Sequence, residues 1–158
     1  MTRFTATTQT DSVITAQPDD VWELLTDPAA VTRMTPLVHD IEVDGDRWVW
    51  HMGGIPGLPV PFAPTFTERM HFVPKTRIEY EHAPRGRHEP AAVSGVYTLV
   101  DHPAGTHLGI ELEMCVSLPL PKLAAPVVQR AIGQVFTMMG DRFAAHLLAE
   151  LDAEEIAA

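Results

Sequence analysis

From Leu37 to Leu118 the chain alternates apolar and polar residues in segments of strand length, and after Pro119 and Pro121 it switches to a helical period that runs to Leu151. Period two puts successive side chains on opposite faces of a sheet, whereas a helical period gathers them on one stripe. Six strands fit the first region, roughly Leu37 to Val43, Arg47 to Met52, Thr65 to Phe72, Arg77 to His82, Ala91 to Val100 and Thr106 to Leu118. In the second, Val128, Ile132, Val135, Phe136, Met139 and Phe143, then Leu147 and Leu151, form one apolar stripe. A meander and one long amphipathic helix can bury both apolar faces if the sheet curves around the helix.

The N-terminal region adds a strand and two short helices. Thr2 to Ala16 is Thr-rich, ends in Val13 and Ile14, and has no helical period, which predicts a long first strand. Gln17-Pro18-Asp19-Asp20 opens a helix: proline's missing N–H would be unpaired there anyway, and the carboxylates face the positive end of the dipole. Asp27-Pro28 stops it and starts a second helix that ends near Met34, before Pro36. The predicted fold is α+β: a curved seven-stranded antiparallel sheet wrapped around a long C-terminal helix, with two short helices between strands 1 and 2. At 158 residues the chain suits one compact domain, over 1–151, with a frayed tail over 152–158.

Charge narrows the partners. A net charge of -10 repels phosphate backbones and anionic membrane surfaces, so no nucleic acid is expected. No apolar run reaches the roughly 20 residues of a bilayer span and the first residues lack a signal-peptide core, so the expectation is a cytoplasmic protein without membrane insertion, monomeric or homodimeric. Cys115, the single cysteine, has no disulfide partner, and no His-x-x-x-His, HExxH or Cys/His spacing marks a metal site. No cofactor is expected.

The run from Val13 through Gln17-Pro18-Asp19-Asp20-Val21-Trp22-Glu23-Leu24-Leu25 to Asp27-Pro28 resembles the opening of the START-like, or Bet v 1-like, helix-grip superfamily, which includes polyketide cyclases and lipid-transfer proteins. The final helix, with Phe136, Phe143 and Leu147 to Leu151, is similar too. The resemblance implies a deep apolar cavity between sheet and long helix, and it implies no reaction, because the superfamily holds both enzymes and carriers. The function it points to is binding of a small hydrophobic or amphipathic molecule (lipid, fatty acid, sterol or polyketide-like). A cyclase- or aromatase-like enzyme using the same cavity and a protein-interaction module are the alternatives.

Strand parity nominates cavity residues. Trp50 and Met52, Phe66 and Met70, Tyr80, Tyr97, Leu112 and Met114 share the apolar parity of their strands, and Val128, Ile132 and Phe136 face them from the helix. Glu68 falls between Phe66 and Met70 on that face, which makes it the first candidate for a functional carboxylate; a solvent-reaching or arginine-paired Glu is the alternative. His39 and His82 lie near strand ends and are candidates for proton transfer or for plain backbone-held mouth residues. Tyr80 and Tyr97 can place a hydroxyl inside an apolar pocket, and with Glu68, His39 and His82, Tyr97 completes the catalytic candidates. Three long connections, Gly53 to Pro64, Ala83 to Pro90 and Ser117 to Lys122, alternate with short turns and so are expected at one end of the sheet, forming the mouth. Arg85 and Arg87 on the second of these suggest a site for an anionic ligand group. Gly133 and Gly140 interrupt the helix for close sheet contact or to leave ligand space.

Overall fold

A computed structural model describes residues 1–157. Its elements run β1 (Thr2–Ile14), α1 (Pro18–Leu25), α2 (Pro28–Met34), β2 (Val38–Asp44), β3 (Arg47–Met52), β4 (Thr65–Val73), β5 (Arg77–His82), β6 (Ala91–His102), β7 (Gly105–Leu118), a 3-10 turn (Lys122–Ala124), α3 (Ala125–Leu151) and β8 (Glu155–Ile156). The sheet is antiparallel in the order β2-β3-β4-β5-β6-β7-β1-β8. The α+β architecture is the one expected, with eight strands in place of seven.

The eighth strand corrects the reading of the tail. Asp152 takes a left-handed conformation (φ 49°) at the end of α3, and Ala153 donates its N–H to the Leu148 carbonyl at 2.9 Å. Such a helix stop turns the chain back on itself, and aspartate tolerates that backbone better than most residues. Glu155 and Ile156 then pair with Ile14 and Val13, and Thr15 Oγ1 accepts the Glu154 N–H at 2.8 Å. Residues 154–156 are therefore pinned to the end of β1 instead of frayed.

The helix starts follow the local chemistry. Asp27 accepts the Ala29 N–H at 3.0 Å, with Pro28 in the first turn of α2; α1 begins with Pro18, Asp19 and Asp20 in its first turn. Val21, Leu25, Ala30, Val31 and Met34 are buried, so both short helices close one end of the concave face. The core lies between that face and α3, where Val128, Ile132 and Leu147 are nearly inaccessible. Two apolar residues near strand ends stay exposed, Val43 (54%) and Phe72 (41%).

Candidate functional site

The space between sheet and α3 is a cavity of about 590 Å3. Aromatic rings build one wall. Trp50 and Phe66 are direct cross-strand partners on β3 and β4 and stack at 5.8 Å and 12°, because the pleat sends both rings to the concave side. Trp48 continues the row 6.4 Å from Trp50 and 6.1 Å from Phe72, which meets Trp22 of α1 edge-on at 6.1 Å. Tyr80 of β5 and Tyr97 of β6 face each other at 5.5 Å. Gly95, opposite Tyr80 in the ladder, makes that placement possible: a Cβ there would lie 2.7 Å from the Tyr80 hydroxyl and 2.2 Å from the Glu111 carbonyl oxygen.

Glu68 is the deep charge-bearing group. It borders the cavity at 1% exposure and makes no salt bridge or hydrogen bond of ordinary geometry with the described residues. Burial pushes its carboxyl well above the usual range; the Trp50 indole N–H acts in the opposite sense, but that N–H itself completes no hydrogen bond, so burial prevails. Tyr97 keeps some accessible surface because it borders the cavity, yet protein encloses it, and burial followed by the neighbouring Glu68 raises its phenol. Tyr80 is raised by burial first, then by Tyr97 and Glu68. All three shifts run toward the protonated forms, and each O–H so kept is a donor inside an apolar enclosure.

The opening is lateral. Thr8, Thr10 and Ser12 of β1 face Gly133, Thr137 and Gly140 of α3 across it, and a Cβ added at either glycine would meet nothing within 4 Å. Helix and strand are clamped on both sides of the gap. Gln129 donates to the Thr5 carbonyl at 3.1 Å toward one end, and β8 pairs with Val13 and Ile14 at the other.

Of the residues nominated by sequence, Trp50, Met52, Phe66, Glu68, Met70 and Tyr80 border the cavity, as do Tyr97, Leu112, Met114 and Phe136. Val128 and Ile132 do not; they are core between α3 and the sheet, and the helix offers the cavity Gly133, Phe136 and Gly140 in their place. The histidines are also elsewhere. His39 is exposed at an irregularity in the β2 ladder, its ring against Gly53. His82 gives Nε2 to Glu89 Oε1 at 2.7 Å and does not border the cavity.

Among the described residues, none from 53–64, 83–90 or 117–122 borders the cavity, so the mouth is not where the long loops are. Arg85 pairs with Asp44, and neither Arg85 nor Arg87 borders the cavity, which removes the basic loop as an anion site there. Glu89 was not nominated, although its carboxylate also accepts the Thr67 N–H (2.9 Å) and hydroxyl (2.7 Å) and so ties the β5–β6 loop to β4. A lone acid before Pro90 in a basic loop is the signal that could have marked it.

Solved structures carry the same arrangement. The ZhuI aromatase/cyclase from Streptomyces sp. R1128 is 17% identical, with a TM-score of 0.66 over 96% of this chain and 94% of that one. A START superfamily protein from Mycobacterium smegmatis is 14% identical, with a TM-score of 0.64 over 94% of this chain and 97% of that one. One 13% identical match, the di-domain aromatase/cyclase StfQ of the steffimycin biosynthetic pathway, reaches a TM-score of 0.68 over 94% of this chain and 51% of that one. At these identities the likeness establishes the helix-grip fold alone. No curated protein matches the sequence. The sequence does match, over residues 1–148, the family described as polyketide cyclase/dehydrase and lipid transport, and with nearly the whole domain inside that match the chain belongs to this family.

Proposed function

We propose that the protein binds a small hydrophobic or amphipathic molecule in the cavity between sheet and α3. The observation that supports it is an open space of about 590 Å3, apolar and aromatic in its walls, with hydroxyl and carboxyl groups converging at one place. That volume falls within the usual range for small-molecule sites, and walls with few placed polar groups are their usual construction. Binding would draw on apolar burial at about 25 cal/mol per Å2, while Glu68, Tyr80 and Tyr97 orient the polar end. Native mass spectrometry of the purified protein, followed by solvent extraction, tests the reading. A co-purified apolar molecule supports it; a clean mass, with no displacement of an apolar probe by any candidate, counts against it.

A cyclase-like enzyme is the second reading, favoured by a buried Glu68 carboxyl, shifted toward its protonated form, beside two phenols in an enclosed site and by the aromatase/cyclase likeness of the fold. Such donors can polarise a ligand carbonyl and shuttle a proton, while the cavity walls fold a flexible chain. Glu68→Gln and Tyr97→Phe separate the two: turnover lost with affinity kept supports the enzyme, affinity alone lost supports the carrier.

A further inference from the structure

The sign of charge around the cavity is one-sided. Among the described residues that border it there is no lysine, arginine or histidine, while four carboxyl groups do: Glu68 in depth, and Asp11, Asp141 and Glu155 toward the opening. Asp11 is met by His107 at 3.4 Å. Its ladder neighbours are Trp48 on β3 and His82 on β5, and His82 gives its Nε2 to Glu89, so no salt bridge reaches Glu68 and a carboxyl group 1% exposed is left facing the ligand space.

A buried carboxyl without a partner is costly, and a cation of the right shape relieves it while an anion makes it worse. The sheet rings that border the cavity, Trp48, Trp50, Phe66, Tyr80 and Tyr97, add to the preference, since aromatic π systems attract ammonium groups and not carboxylates. From the unpaired Glu68, the absence of bases at the cavity and the aromatic walls, we infer that the preferred ligand is a cationic one: an apolar, partly aromatic molecule with one basic nitrogen that pairs with Glu68. This rests on the binding reading above and narrows it, setting aside fatty acids and other carboxylates. As the ammonium docks, Glu68 gives any proton it holds to the buffer, leaving an ammonium–carboxylate pair, so up to one proton is released per ligand bound.

Isothermal titration at pH 7 with 2-(1-naphthyl)ethylamine, 2-(1-naphthyl)ethanol and 1-naphthylacetate tests it, since the three share a body and differ in charge. The amine should bind about 10- to 100-fold tighter than the alcohol, the usual value of a hydrogen bond to a charged group, and the carboxylate weakest. Glu68→Gln should remove the difference between amine and alcohol when both are measured with the same variant. With wild-type protein, the apparent heat for the amine should differ between phosphate and Tris buffers in proportion to their ionisation heats, a signature of proton release that needs no variant. An amine that binds no tighter than the alcohol overturns the inference, while binding of the alcohol leaves the binding reading standing. If none of the three binds, both fall.

Discussion

Replacing Gly133 and Gly140 by alanine should stabilise the protein, although glycines in a long helix beside a sheet usually signal close packing. Both lie in the interior of α3, both are exposed, and neither Cβ would have a neighbour within 4 Å. With no contact to lose, the intrinsic term remains: glycine is about 0.8–1 kcal/mol worse than alanine in a helix interior, because it gives up more backbone freedom on folding. The two positions are two turns apart, roughly 10 Å along the axis, far enough for their effects to add. The double variant should therefore gain about 1.5–2 kcal/mol, or roughly 3–8 °C in Tm for a domain of this size. Thermal and urea unfolding followed by circular dichroism would measure it. A double variant less stable than the wild type would show that the helix lies against β1 and that no lateral opening exists there. Leucine at both positions extends the test, since side chains projecting into the gap should slow probe association and dissociation together while leaving Kd within a few-fold.

Glu68→Gln should change how stability depends on pH. Burial raises the folded-state carboxyl above its unfolded value of 4.5, so the group's contribution is fully present below that value and lost as pH rises toward the folded value. Across that window the gap between Gln variant and wild type should widen in favour of the variant by at most about 1.4 kcal/mol per pH unit; parallel stability curves would remove Glu68 from the account. Glu89→Ala strands the buried Thr67 N–H and should cost about 1–3 kcal/mol, with faster amide exchange at Thr67 and in the β5–β6 loop as the local readout. Gly95→Ala should displace the Tyr80 ring and destabilise the domain by about 1–3 kcal/mol, and unchanged ring resonances for Tyr80 would contradict the close approach at 2.7 Å.

Elements set by local chemistry are the ones readable from residues alone. Proline and aspartate at 18–20 and 27–28 announce α1 and α2, and the period-two runs locate β2 to β7 within a residue or two. Glu68 stands out because parity places a carboxylate between Phe66 and Met70, a conflict visible without coordinates. Other features are set by distant partners. β8 has two residues, too short for any period, and exists because Asp152 turns the chain toward β1. The mouth depends on how α3 lies across β1, so Gly133 and Gly140, on the flank of the helix, line it while Val128 and Ile132, on its apolar stripe, are sealed inside. Glu89 takes its partners from Thr67 and His82, 22 and 7 residues away, and no local pattern encodes that meeting.

All three tryptophans of the chain belong to the aromatic row that runs from α1 to the cavity wall, Trp22 through Phe72 to Trp48 and on to Trp50. Indoles 6.4 Å apart exchange excitation, so light absorbed by Trp48 can migrate to Trp50, which stacks on Phe66 in the cavity wall. The row thus gives the proposed binding an intrinsic optical readout. Occupancy of the cavity should change the colour and lifetime of the whole intrinsic emission, and with Trp50→Phe the remaining signal should respond far less to the same ligand.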